Sequence, residues 1–116
     1  MDSAGALSLA LQLQGFEVRL ADSMAAAREA AREPFDVLVS DLALPDGSGL
    51  DLMTELRTRT AAPAIALSGY GSLRDKSRSA AAGFSAHLTK PVTIERLSET
   101  IRGLVATASR QSSQSA

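Results

Sequence analysis

Short apolar segments alternate with amphipathic ones along most of the chain. Four segments have the length and the alternating or continuously apolar pattern that is typical of β-strands. They are 16–21 (FEVRLA), 35–40 (FDVLVS), 63–68 (PAIALS) and 84–89 (FSAHLT). The centre of 35–40 is apolar without interruption, as expected of a parallel strand that helices cover on both faces.

Five further segments predict helices, at 3–14, 24–33, 50–59, 73–82 and 94–105. Ser23 and Thr93 have side chains that are preferred at N-caps. The first segment is ambiguous, because four leucines alternate with small or polar residues between Leu7 and Leu13. A helix is favoured there because β-branched residues are lacking and Gly15 follows as a C-cap. Its leucines predict burial on most sides.

The regular alternation of helices and strands predicts one α/β domain over 1–107. Such a chain forms an open parallel sheet with helices on both faces. The polar residues 108–116 are expected to form a disordered tail.

The amino-acid composition excludes several classes of function. The 116 residues carry a formal net charge of −1, which argues against a surface for nucleic acid or an anionic membrane. No cysteine is present, so disulfides and thiolate metal sites are excluded. No apolar run approaches the ~20 residues of a membrane span, and the N-terminal segment does not resemble a signal peptide. A cytoplasmic location is therefore expected.

Three polar residues follow directly on predicted strands, namely Asp41, Ser68 and Lys90. Each alone has an ordinary interpretation, as a cap, a turn residue or a solvated cation. In open parallel sheets, however, ligands and chemistry gather at the carboxyl ends of the strands. A carboxylate, a hydroxyl and an ammonium group at that edge therefore predict one shared site.

These residues lie in motifs that resemble the receiver domain of two-component response regulators and hybrid histidine kinases. The resemblance spans about 2–105 and is carried by DVLVSDLALPDGSGLDLMTELR, PAIALSGYGS, AAGFSAHLTKPV and LSETI. Asp41, Pro45 and Gly49 match the family's Asp-x-x-x-Pro-x-x-x-Gly pattern, and Lys90 with Pro91 follows at the family's distance. The resemblance implies a flavodoxin-like (CheY-like) sheet.

The resemblance also implies residue roles. Asp41 is the expected phosphoacceptor, with Lys90 and Ser68 contacting phosphoryl oxygens. Asp41 and the backbone carbonyl of Ala43 are the expected Mg²⁺ ligands. His87 stands where the family has its switch aromatic residue. The family's bond corresponding to Lys90–Pro91 is cis.

One part of the family pattern does not match any residues of this sequence. The family begins with a buried strand that ends in two acidic residues, whereas Met1, Asp2 and Ser3 correspond to the start of the first helix. With only Asp41 and one carbonyl as ligands, Mg²⁺ binding is expected to be weak or absent. An N-terminally truncated domain, whether by nature, by start site or by design, is the leading explanation.

The unmatched strand would lie between 16–21 and 35–40, because the flavodoxin-like strand order is 2-1-3-4-5. Three outcomes are open: a gap in the sheet, direct pairing of these two segments, or a second chain that fills the gap. We expect an open gap or self-association rather than a closed four-stranded sheet, because direct pairing would strain the short connections near Gly15 and Ala21.

The leading functional hypothesis is a phosphorelay domain that accepts a phosphoryl group from a histidine kinase or phosphotransfer domain. The alternative is a degenerate receiver that acts only as a protein-interaction module. In neither case is the chain a conventional enzyme, beyond autocatalytic phosphoryl acceptance and hydrolysis. A haloacid-dehalogenase-type hydrolase is ranked far lower, because Ala43 replaces the second aspartate of its Asp-x-Asp motif. A dinucleotide-binding enzyme ranks lowest, because no Gly-x-Gly-x-x-Gly motif follows a strand.

Overall fold

A computed structural model describes residues 3–21, 23–69 and 73–114. Asp2 and residues 70–72 of the predicted loop lie outside that range. The elements in chain order are α1 (Ser3–Leu13), α2 (Met24–Ala30), β1 (Leu38–Asp41), β2 (Ala43–Leu44), β3 (Gly47–Ser48), α3 (Gly49–Leu56), β4 (Ala64–Ser68), α4 (Leu73–Ala82), β5 (Ala86–Thr89) and α5 (Ile94–Gln114). All five predicted helices and three of the four predicted strands are present.

The main sheet is parallel and has the order β1-β4-β5 among the described residues. Strand β4 is buried along its whole length and separates two apolar clusters. Ala64 and Ala66 face a cluster with Leu52, Met53 and Leu56 of α3. Ile65 and Leu67 face the opposite cluster, which includes residues of α1 and α5. The expected open parallel sheet with helices on both faces is therefore confirmed.

The prediction of a strand at 16–21 is wrong, because the described part of this segment pairs with no strand. Arg19 of this segment instead contacts the end of α2. Its guanidinium group donates hydrogen bonds to the carbonyls of Ala30 (2.8 Å) and Pro34 (2.7 Å). Phe16 packs against the cluster formed by α1 and α5. The guanidinium carbon of Arg102 lies over its ring, 5.1 Å from the ring centroid. An alternating segment becomes a strand only where a neighbouring edge supplies hydrogen bonds, and β1 does not reach it. The expected absence of direct pairing with 35–40 is confirmed.

Two predictions about the ends of the chain also need correction. Helix α1 is not buried on most sides, since Leu9 and Leu13 are 59% and 82% exposed and Leu11 is the one buried residue among its four leucines. Helix α5 continues to Gln114, so the prediction of a disordered tail at 108–116 is wrong for 108–114. Extending an existing helix by one residue costs far less free energy than nucleating a new helix. The polar residues at the end of α5 can therefore continue the helix.

The loop after β1 forms a small antiparallel hairpin. Strands β2 and β3 pair Ala43 with Ser48 and Leu44 with Gly47. Pro45 and Asp46 form the turn between them, with proline at the position whose fixed φ suits such turns. None of the helices within the described residues is long and apolar enough to cross a membrane.

Candidate functional site

The three predicted site residues lie at one edge of the sheet. Asp41 is the last residue of β1, Ser68 is the last residue of β4, and Lys90 directly follows β5. The parallel registers align these ends, because Asp41 is paired with Leu67 and Ser68 with Thr89. The backbone N–H of Lys90 also donates to the Ser68 carbonyl at 2.7 Å, which extends the β4–β5 ladder into the site.

An ion pair joins the two outer residues of this site. The Lys90 ammonium group contacts Oδ1 of Asp41, while the side chains remain 38% and 28% exposed. The carboxylate is therefore positioned by a cation through its buried Oδ1, while the Asp41 side chain as a whole stays partly exposed. The Lys90–Pro91 peptide bond is cis, as the resemblance implied.

Ser68 and His87 form a second contact in the site. Oγ of Ser68 and Nε2 of His87 are 3.0 Å apart and share a hydrogen bond. His87 lies inside β5, and its Nδ1 is buried without a hydrogen-bond partner among the described residues. The imidazole is thus coupled to the hydroxyl that was predicted to contact a phosphoryl group.

Backbone contacts fix the loop that follows Asp41. The Leu42 N–H donates to the Leu67 carbonyl at 3.0 Å, and the Gly49 N–H donates to the Leu42 carbonyl at 2.9 Å. A Cβ on Gly49 would lie 2.2 Å from the Asp41 carbonyl oxygen. Only glycine allows α3 to begin this close to β1. Ala43 is exposed in the hairpin, and the structure shows no contact that tests its predicted role as a ligand.

Asp46 is a site-supporting residue that the sequence analysis missed. Its carboxylate accepts hydrogen bonds from the backbone N–H groups of Met24 (2.7 Å) and Ala25 (3.3 Å) at the start of α2. The hydrogen bond from Met24 is the main reason why the pKa of Asp46 is lowered. No sequence signal links these segments, which lie on opposite sides of β1 along the chain. Asp46 thereby ties the hairpin beside Asp41 to α2.

We expect Asp46→Asn to destabilise the fold at neutral pH. The pKa of Asp46 is lower in the folded state than its ordinary value of 3.8, so the carboxylate stabilises the fold above pH 3.8. That contribution is lost as the pH falls below 3.8 and through the folded-state pKa. Urea unfolding should therefore show a deficit for the variant at pH 7 that shrinks toward pH 3. Glu99→Gln, which removes an exposed carboxylate from α5, is the control and should leave the urea midpoint at pH 7 unchanged.

The described residues do not fit a magnesium site well. They contain no group of three or more His, Cys, Asp or Glu side chains that could hold a metal ion. Asp41 is the single carboxylate at this edge that the structure shows, and the Lys90 ammonium already contacts it. Mg²⁺ takes oxygen ligands and is usually held by one or two carboxylates together with substrate phosphates.

Comparison with known proteins identifies the family. The model of the response regulator receiver domain matches residues 2–102, and the chain belongs to this family. Receiver domains are signalling domains of two-component systems rather than conventional enzymes.

Curated relatives show how the chain compares with longer regulators. It is 42% identical over 106 residues to the response regulator protein PilR of Pseudomonas aeruginosa, covering 90% of this chain and 23% of the relative. It is 38% identical over 101 residues to the transcriptional regulatory protein KdpE of Mycobacterium tuberculosis, covering 86% and 45%. The chain thus spans less than half the length of these relatives.

Solved structures show the same fold. A CheY-like receiver domain protein from Methanospirillum hungatei has a TM-score of 0.85 at 27% identity, over 92% of this chain and 87% of that one. A response regulator from Burkholderia pseudomallei, solved with a phosphorylated aspartic acid, has a TM-score of 0.80 at 26% identity, over 97% and 67%.

Proposed function

We propose that the chain accepts a phosphoryl group on Asp41 from the phosphohistidine of a histidine kinase or phosphotransfer domain. The observation that carries this proposal is the partly exposed Asp41 carboxylate, which an ion pair with Lys90 holds at the strand ends beside β4. The phosphorylated aspartic acid of the Burkholderia relative supports an aspartate as the acceptor. A cytoplasmic location is part of this proposal.

The proposed transfer is a substitution at phosphorus. A carboxylate oxygen of Asp41 forms a bond to phosphorus as the N–P bond to the donor histidine breaks, and the imidazole leaves with a proton from solvent. The product is an acyl phosphate, whose added negative charge needs donors. The Lys90 ammonium can move from the carboxylate to a phosphoryl oxygen, which gives a charge-assisted hydrogen bond. The Ser68 hydroxyl can donate to a second oxygen.

Incubation with a small-molecule phosphodonor and Mg²⁺ tests the proposal. We expect one acid-stable, base-labile acyl phosphate per chain, detected by intact mass. Chemical reduction of the acyl phosphate followed by peptide mapping locates the modified residue. Failure to form any acyl phosphate, with a phosphorylated kinase domain as well as with the small donor, would contradict it.

A second candidate function is a degenerate receiver that binds partners without phosphotransfer. The poor fit of the described residues to Mg²⁺ favours it, since the phosphoryl group would lack a neutralising cation other than Lys90. The same experiment separates the two functions, because a pure interaction module would form no acyl phosphate.

We expect His87 to oppose the phosphorylated state. In the tautomer in which His87 Nε2 accepts, the Ser68 hydroxyl must give up this 3.0 Å hydrogen bond before it can donate to a phosphoryl oxygen. A net hydrogen bond is worth about 1 kcal/mol, which corresponds to about fivefold in an equilibrium. His87→Phe keeps an aromatic ring and removes the nitrogen, so the steady-state ratio of phosphorylated to free protein should rise about fivefold.

A double-mutant cycle controls this prediction. In a Ser68→Ala background the hydrogen bond is already lost, so His87→Phe should then leave the phosphorylated fraction unchanged. An equal rise in both backgrounds would show that His87 acts by another route.

A further inference from the structure

His87 is a titratable side chain beside the site, and the transfer described above does not use its charge. Its backbone pairs with Ala66 of β4, and its ring is half-buried. Nε2 of the ring lies 3.0 Å from Oγ of Ser68. Nδ1 is buried and has no hydrogen-bond partner among the described residues. His87 is also the one histidine of the sequence.

The charge of the ring decides which group donates in the hydrogen bond between His87 and Ser68. A neutral imidazole carries one N–H, so its Nε2 either accepts from the Ser68 hydroxyl or donates to it. The imidazolium carries two N–H groups and can only donate. Protonation of the ring therefore turns the Ser68 hydroxyl hydrogen away from Nε2 and toward another acceptor.

Without a phosphoryl group, the surroundings of the ring do not favour its charged form. The imidazolium always carries an N–H at Nδ1, and a buried donor without an acceptor is unfavourable. The nearby ion pair of Asp41 and Lys90 is neutral as a whole, so it offers the ring no net negative charge.

Phosphorylation of Asp41 would supply that negative charge. A phosphoryl group carries about two negative charges near neutral pH, where the carboxylate carried one. If Ser68 bridges the ring and a phosphoryl oxygen, two hydrogen bonds of about 3 Å separate Nε2 from that oxygen by at most about 6 Å. An opposite charge at this distance favours the charged form of a titratable group.

Other charged side chains around the ring keep their charge near neutral pH. His87 lies on the face of the sheet that α3 covers with apolar residues, and α4 packs against β5 on that side. The charged groups with described side chains on these elements and at the strand ends are Asp41, Lys90, Arg57, Lys76 and Arg78. Histidine is the side chain whose charge ordinarily changes between about pH 5 and 8, whereas carboxylates, lysines and arginines do not change theirs.

We propose that His87 couples proton uptake to phosphorylation of Asp41. When the acyl phosphate forms, the ring takes a proton from solvent, Nε2–H donates to Ser68 Oγ, and the Ser68 hydroxyl donates to a phosphoryl oxygen. This coupling rests on the proposed phosphoacceptor function. Because coupling is reciprocal, low pH favours the phosphorylated state. That advantage is lost as the pH rises through the range in which the phosphorylated protein releases the proton.

NMR titration of the single imidazole tests the proposal. The Cε1 proton of His87 reports the charge of that ring rather than the charge of the phosphoryl group, and His87→Phe identifies its signal. The 116-residue chain is titrated alone, with acetyl phosphate and Mg²⁺, and with beryllofluoride and Mg²⁺, which mimics a phosphoryl group on aspartate without transfer. We expect the titration midpoint to rise by about one pH unit in both treated samples, which is about tenfold in proton affinity.

Two variants of Ser68 separate the bridging hydroxyl from general charge attraction. Ser68→Thr keeps the hydroxyl and should keep the tenfold effect. Ser68→Ala removes the bridge, so the increase in proton affinity should fall to about threefold or less. Thermal unfolding verifies that both variants fold.

Steady-state phosphorylation at two pH values gives a second readout. The advantage of about fivefold expected for His87→Phe should be present at pH 8 and shrink to within about twofold at pH 5, because the imidazolium no longer accepts from Ser68. Comparing the two proteins at each pH removes the effect of pH on the phosphodonor and on hydrolysis of the acyl phosphate.

The outcomes separate this coupling from phosphotransfer itself. A midpoint that rises with beryllofluoride, while intact mass shows no acyl phosphate, would support the coupling and contradict phosphotransfer. A midpoint that stays within about 0.3 pH unit of the untreated protein in both treated samples would overturn the coupling, whether or not an acyl phosphate forms. An equal rise in Ser68→Ala would also overturn it, because the ring would then respond without Ser68.

Discussion

Asp41→Asn is expected to reduce acyl phosphate formation to background. The amide that replaces the carboxylate is not a nucleophile toward phosphorus, and the structure shows no other carboxylate paired with Lys90. The fold itself should survive, because the ion pair is partly exposed and such pairs contribute about 0–1 kcal/mol. Intact mass after treatment with a phosphodonor and Mg²⁺, together with urea unfolding, measures both quantities.

Asp36→Asn provides the matched control for that experiment. Asp36 is an exposed carboxylate two residues before β1, on the same segment of chain but at the opposite end of the strand. Its replacement should leave phosphorylation at the level of the unmodified protein. An acyl phosphate that persists in Asp41→Asn, at any other position, would contradict the assignment of the acceptor.

Much of the fold could be predicted because its signals are local. The uninterrupted apolar run before Ser68 identified β4 to within one residue, since only a strand covered on both faces needs such a run. The same reasoning placed Asp41 and Lys90 at strand ends, and the parallel topology then brought those ends together. Ser23 and Thr93 also act as predicted, with side chains that accept the N–H groups of Ala26 and Arg96.

The predictions from sequence fail where contacts between distant segments determine the local structure. The alternation of Phe16, Val18 and Leu20 is a good strand pattern, but a strand also needs a paired edge, and the family strand that would lie beside 16–21 matches no residues of this sequence. Arg19 instead binds carbonyls at the end of α2, a contact between segments that the sequence does not connect. The same holds for the link between Asp46 and Met24, and for the hydrogen bond between Ser68 and His87.

Gly49→Ala is expected to have the largest effect on stability. The added Cβ would lie 2.2 Å from the Asp41 carbonyl oxygen and 3.0 Å from Cα of Leu42. Both are backbone atoms, so no side-chain rotation can relieve the clash, and α3 must move away from β1. Overpacking of this kind costs about 1–3 kcal/mol. Because the shift reaches the residue that carries the acceptor, the rate of phosphorylation should fall as well.

Gly103→Ala is the matched control, and it should act in the opposite direction. Gly103 is exposed within α5, and a Cβ there would meet no atom within 4 Å. Alanine is favoured over glycine in a helix by about 1 kcal/mol, so this variant should be more stable and be phosphorylated normally. Urea unfolding should therefore separate the two alanine variants by about 2–4 kcal/mol. Gly49→Ala with a stability within about 0.5 kcal/mol of the unmodified protein would show that α3 can begin farther from β1 without cost.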